Sequence, residues 1–185
     1  MINPDEIICL GRIYFPVKTL GPGNRVGIWM IGCDRHCEGC ISPEWQIYDS
    51  SKEVSVSDII GMIKMIPGNI DGFTISGGEP FYKPEALSLL VDELSEISDD
   101  ILIFTGYTIE ELKTLEWADK ILEKCAALID GPYIKDLNDG KGLKGSSNQR
   151  CHIFRYPERY SGIESQMRML QPVLYDNNMV SIGIP

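Results

Sequence analysis

Short apolar, β-branched runs alternate with helix-patterned segments along this chain, and that alternation restricts the fold more than any other feature. Residues 26–31, 70–75, 101–104 and 126–129 each read as a buried strand, and residues 7–15 as a further one before the turn at Gly21-Pro22-Gly23. Ser55 or Ser57 can cap a helix with Ile59, Ile60, Ile63 and Ile66 on one face, ended by Pro67. Pro84 opens a second, on which Leu87, Leu90, Val91, Leu94 and Ile97 recur at helical spacing. Thr108 and Glu111 form a capping-box pattern, with helix continuing to about Lys124. Strands separated by such helices pair in parallel through right-handed crossovers. A complete eight-fold barrel takes about 250 residues. The chain has 185, room for five or six such steps. The expected fold is therefore α/β, a partial, open β/α barrel of about six parallel strands. One domain covers residues 1–185, with its core over about 10–150 and a C-terminal extension over 151–185.

Charge removes whole classes of function. The net charge of −10 disfavours a dedicated binder of phosphate backbones, so no nucleic-acid partner is expected. No apolar run approaches the roughly 20 residues of a membrane helix, and the acidic first residues lack the pattern of a secretory signal. The expected compartment is the cytoplasm, where clustered cysteines hold metal or do chemistry rather than form disulfides.

The cysteines are clustered. Cys33, Cys37 and Cys40 stand within eight residues of a polar loop that follows the 26–31 strand. Structural zinc usually takes four ligands in two separated pairs, and no second pair is present. A ferredoxin-type cluster also takes four cysteines, whereas three on a four-iron cluster leave one iron open to a substrate. Cys9, Cys125 and Cys151 read as ordinary buried thiols. Ser76-Gly77-Gly78-Glu79-Pro80 follows a strand, at the end where α/β folds collect ligands, and its carboxylate can pair with an ammonium group. No Ser–His–Asp or zinc-hydrolase constellation is visible.

The Cys-x3-Cys-x2-Cys spacing and the Ser76–Pro80 segment resemble the two motifs of the radical S-adenosylmethionine superfamily. Gly21-Pro22-Gly23-Asn24-Arg25 and Pro43-Glu44-Trp45 are similar to glycyl-radical enzyme activases. Thr105-Gly-Tyr-Thr108, Ile129-Asp130-Gly131-Pro132-Tyr133 and Gly145-Ser-Ser-Asn-Gln-Arg150 are most similar to activators of anaerobic ribonucleotide reductase. The resemblance implies one [4Fe-4S] cluster on Cys33, Cys37 and Cys40, which is also the catalytic group. It implies S-adenosylmethionine bound by Gly39, Ile41, Ser76, Gly77, Gly78, Glu79, Thr105 and Asp130. The implied partners are a glycyl-radical enzyme such as anaerobic ribonucleotide reductase and a flavodoxin- or ferredoxin-type electron donor.

Gly39 stands where much of the superfamily has an aromatic over the adenine, so another group must cover that base. Ser42 replaces the usual Asn of the activases. The resemblance leaves Arg25 between steering the cofactor carboxylate and a surface ion pair. Residues 135–168 carry net +3 against −12 for residues 1–134, which makes Lys141 and Lys144 candidate docking residues for an acidic partner. Two other functions compete: a radical enzyme acting on a small molecule or peptide, and a non-catalytic electron carrier or zinc module. The Gly77-Gly78-Glu79 clamp speaks against the last, since an electron carrier needs no amino-acid site.

Overall fold

A computed structural model describes residues 6–185; the expectation that the first residues form no secretory signal falls on positions 1–5, outside the described residues. β1 (Ile7–Val17) is antiparallel to β2 (Arg25–Met30), and β3 (Glu53–Ser55) pairs with the other edge of β1. α1 (Val56–Lys64) leads to β4 (Gly72–Gly77), and α2 (Pro84–Ser95) to β5 (Ile101–Phe104). α3 (Ile109–Leu112) and α4 (Ala118–Lys124) lead to β6 (Ala127–Asp130), along which β7 (Arg150–Ile153) returns antiparallel. The sheet order is β3-β1-β2-β4-β5-β6-β7.

Four strands, β2, β4, β5 and β6, are parallel, not about six. The reason lies in the connections. The turn between β1 and β2 is too short for a crossover, and the segment from β6 to β7 holds only a 3-10 turn at Lys135–Leu137, so both flanking strands turn back. The edges β3 and β7 do not pair with one another.

The helices form where the apolar spacing asks for them. Ser55 Oγ accepts from Asp58 N at 3.1 Å, and the capping box is complete, Thr108 Oγ1 accepting from Glu111 N and Glu111 Oε2 from Thr108 N. Ile59, Ile63, Leu87, Leu90 and Leu94 are buried against Ile28, Phe73, Ile75, Ile101 and Ile103. On β5, Leu102 points the other way, as strand alternation requires. There it joins Trp29 and Ile129 under Leu143, Tyr160, Ile163, Val173 and Ile182, all from beyond residue 140. Part of that cover is a hairpin, β8 (Gln171–Tyr175) and β9 (Asn178–Ile182). It is fastened to β1 and the turn after it by Gln171 Nε2, which donates to Pro16 O, and by Thr19 Oγ1, which donates to Ile182 O. Among the described residues no helix is long and apolar enough to cross a membrane.

Candidate active site

Because β2, β4, β5 and β6 are parallel, the loops leaving their carboxyl ends meet at one edge of the sheet. A cavity of about 160 Å³ opens there, lined by Cys33, Cys37 and Cys40 after β2, Ser76 to Glu79 at the end of β4, and Thr105 after β5. The three thiols are unpaired and half-buried. Cys33 Sγ accepts from Arg35 N and Cys40 Sγ from Ser42 N, each at 3.4 Å, the kind of backbone donation that stabilises a thiolate bound to iron. The donor set fits an iron–sulfur cluster. Among the described residues no three His, Cys, Asp or Glu side chains are gathered tightly enough for a single metal ion.

The two glycines admit backbone rather than ligand. A Cβ on Gly77 would lie 2.3 Å from Met30 O, and one on Gly78 2.3 Å from Gly32 O and 2.6 Å from Trp45 O. Their bareness presses the end of β4 against the start of the cysteine loop, where Gly78 N donates to Met30 O and Glu79 N to Gly32 O, both at 2.8 Å.

Glu79 is 1% exposed. Its carboxylate accepts from Phe81 N at 3.0 Å, Thr105 Oγ1 at 2.8 Å and Gly106 N at 2.7 Å, all neutral donors. Burial outweighs these bonds and pushes its pKa up to about 7. The buried carboxylate and the thiols line one cavity; among the described residues no cation is hydrogen-bonded to Glu79, and Arg35, in the same wall, is near enough to feel its charge.

A family model described as a 4Fe-4S single cluster domain matches residues 19–152. The anaerobic ribonucleoside-triphosphate reductase-activating protein of enterobacteria phage T4 is 33% identical over 144 residues, covering 75% of this chain and 90% of that protein. The Salmonella typhimurium protein of the same name is 30% identical over 152 residues, covering 77% and 97%. A pyruvate formate-lyase-activating enzyme of Staphylococcus aureus is 27% identical over 150 residues, covering 78% of this chain and 59% of that enzyme. The chain belongs to the radical S-adenosylmethionine activases.

Within this activase the remaining sequence-derived residues divide. Ile41 lines the cavity. Gly39, at φ +68°, sits outside its wall, and a Cβ there would meet the Lys135 side chain at 2.8 Å. Asp130 is also outside the wall, fully buried, accepting from Ile109 N at 2.6 Å and Arg150 Nε at 3.0 Å. Burial would raise its pKa, but Arg150, Ile109 and His152 outweigh that and hold it below the usual range. It fastens β6 to β7 and α3.

Arg25 takes neither role set out for it. It is fully buried at the opposite end of the sheet, donating to Thr74 Oγ1 at 2.7 Å, Asp100 Oδ1 at 3.1 Å and Asp100 O at 2.8 Å. The basic segment also differs from expectation. Lys144 is 12% exposed and 3.7 Å from Glu164, and neither it nor the exposed Lys141 lines the cavity. Arg150 pairs with Glu110 and Asp130, Arg159 with Asp100, and Arg168 donates to the carbonyls of Lys144 and Gly145. Acidic groups of other elements thus pair with Arg150 and Arg159, while Lys135 and Lys141 make no ion pair among the described residues.

The sequence reading did not single out the brace on the cysteine loop. Tyr107 Oη donates to Asp34, while the Arg35 guanidinium lies 4.5 Å over the Tyr107 ring and 3.3 Å from Glu111. Gly183 and Ile184 also wall the cavity; the signal that could have found their hairpin is Asp176-Asn177, a two-residue loop with both φ positive between paired strands.

Proposed function

We propose that this chain activates an anaerobic ribonucleotide reductase, holding one [4Fe-4S] cluster on Cys33, Cys37 and Cys40 with its fourth iron open to S-adenosylmethionine. When bound and reduced by a flavodoxin- or ferredoxin-type donor, the cluster supplies the one electron that splits the sulfonium–C5′ bond. That cleavage would release methionine and supply a 5′-deoxyadenosyl radical able to take a hydrogen atom from a glycine Cα of the partner, giving 5′-deoxyadenosine and a glycyl radical. The observation that carries this reading is the common cavity, lined by three thiols and by a buried Glu79 carboxylate whose hydrogen-bond donors are all neutral.

Glu79 takes the cofactor's ammonium group, since a buried carboxylate gains most from a charge brought to it. Thr105 and the Gly106 amide hold that carboxylate in position, while Ser76, Gly77 and Gly78 set the strand end against the cysteine loop. Ile41, with Ile184, offers an apolar wall to the nucleoside. The sheet works as an open partial barrel within a single cytoplasmic domain, with residues 151–185 closing its inner face.

Anaerobic reconstitution with iron and sulfide, followed by S-adenosylmethionine and dithionite, should yield 5′-deoxyadenosine by chromatography. Adding the purified reductase should produce a glycyl-radical signal by electron paramagnetic resonance. Cofactor cleavage with no radical on the reductase, but a modified small molecule or peptide instead, would replace this partner.

A further inference from the structure

Large apolar side chains stand exposed in unusual density between residues 167 and 179: Met167, Met169, Leu170, Leu174 and Met179, the last two 67% and 74% exposed. The hairpin explains how. Its cross-strand pairs alternate in facing, so Val173 and Ile182 are buried inward and Tyr175 lies 4.6 Å over the Arg12 guanidinium. The opposite face carries Leu174 beside Met179 and Pro172 beside Ser181. One step further along the same register, Leu170 lies beside Gly183, where an added Cβ would meet Leu170 Cδ2 at 3.1 Å. That end lies at the turn between β1 and β2; the tip reaches the site, because Tyr175, next to Leu174, stacks on Arg12, whose guanidinium is 5.5 Å over Trp45 and 5.9 Å over Trp29, and Trp29 lines the cavity.

We propose that the outer face of the hairpin, Leu170, Leu174 and Met179 with Met167 and Met169 at its border, docks the glycyl-radical enzyme through an apolar surface beside its glycine loop. The proposal rests on the activase reading above. The occupant follows from the site: the hydrogen donor is a glycine within a protein, and a protein whose loop enters this cavity must cover what adjoins its mouth. A grouped apolar face at that position marks an interaction surface, and methionines adapt to a partner's relief. Charge is the weaker candidate, because Arg150 and Arg159 of the basic segment are paired within the chain and neither Lys141 nor Lys144 lines the cavity.

The test pairs Leu174→Asp with Met179→Asp in the cluster-loaded chain. Leu174→Ser with Met179→Ser serves as a milder version, and thermal melts confirm that both fold. Affinity for the purified anaerobic ribonucleotide reductase is measured by calorimetry, glycyl radical by paramagnetic resonance, and 5′-deoxyadenosine without partner by chromatography. The expected result is at least about tenfold weaker binding, with glycyl radical reduced in step at limiting reductase and partner-free cleavage unchanged. Partner affinity and activation equal to those of the unmodified chain would overturn the docking surface alone. So would an unmodified dimer that the substitutions dissociate without changing partner affinity, which would make the occupant a second copy. Cofactor cleavage by the unmodified chain with no radical on the reductase would overturn the activase reading and this proposal with it.

Discussion

The two ends of the parallel sheet each bury a carboxylate, and they treat it in opposite ways. At the amino end, Asp100 is bonded by Arg25 and Tyr160 and lies 2.6 Å from an Arg159 nitrogen. Its charge is matched by the chain's own cations, and the cluster ties the start of β5 to β2 and to the C-terminal cover. At the carboxyl end, Glu79 has three neutral donors, and Arg35 lies near without bonding to it; burial lifts its pKa to about 7. A chain that needs only rigidity pairs its buried charges; one buried without a counter-charge leaves room for a charge from outside. The amino end is a strut; the carboxyl end fits the proposed role of receptor.

The contrast breaks first at the cysteines. Replacing Cys33, Cys37 or Cys40 by Ala should abolish bound iron and 5′-deoxyadenosine formation, whereas Cys125→Ala and Cys151→Ala should keep both, as read by iron assay and product chromatography. Cys125 is fully buried, with its thiol pushed up to about 12, and bonds only to Ile121 O. Loss of the cluster in Cys125→Ala would move a ligand away from the cavity.

Asp100→Ala strands the fully buried Arg25. It should lower unfolding free energy by about 3–5 kcal/mol in denaturant titrations, while affinity for S-adenosylmethionine in the loaded protein changes little. A matching loss of affinity would mean that the two ends are coupled. Glu79→Gln should show the reverse pattern. A charge-assisted contact is worth about 1.5–3 kcal/mol, so affinity should drop roughly ten- to hundredfold with iron content unchanged. Unaltered binding would reduce Glu79 to the holder of its own turn.

The smallest effect is on pH. A carboxyl whose pKa is about 7 in the cofactor-free fold and lower beside an ammonium must release a proton when the cofactor binds. Affinity should therefore level off above pH 7 and fall as pH drops below it, by at most about tenfold per unit. A bound cluster of net negative charge raises the free pKa further and does not change the sign. In the cofactor-free chain, the raised pKa means that folding stability falls as pH rises from about 4.5 to 7. Affinity that is flat from pH 6 to 8 would place the ammonium elsewhere.

Legibility followed locality. Ser55, Thr108 and Glu111 capped their helices where they were expected, because a cap is satisfied by amides two or three residues away. The Cys33–Cys40 triplet and the Ser76–Glu79 segment were readable for the same reason, each being a short run set at a strand end by alternation alone. Arg25 was not. Its partners Thr74 and Asp100 lie 49 and 75 residues away, and nothing near Arg25 distinguishes a buried strut from a surface ion pair. The net +3 of residues 135–168 suggested a docking patch, yet Glu110, Asp130 and Asp100 reach in from other elements to neutralise much of it.

The sequence by itself therefore determined the helical faces, the parallel pairing of the strands linked by helices, and the place of the thiols and Glu79 at strand ends. Those features depend on periodicity and on side chains within one turn or one strand end. Only the tertiary structure decided the number of parallel strands, the brace from Tyr107 and Arg35 onto the cysteine loop, and the closure of the inner face by residues 143–184. Each requires groups far apart in sequence to meet, and their meeting is selected by the burial of Leu102, Trp29 and Ile129 beneath a segment whose own pattern is irregular. Hydrophobic burial is non-directional, so it reveals that such a face must be covered but not which distant segment will cover it.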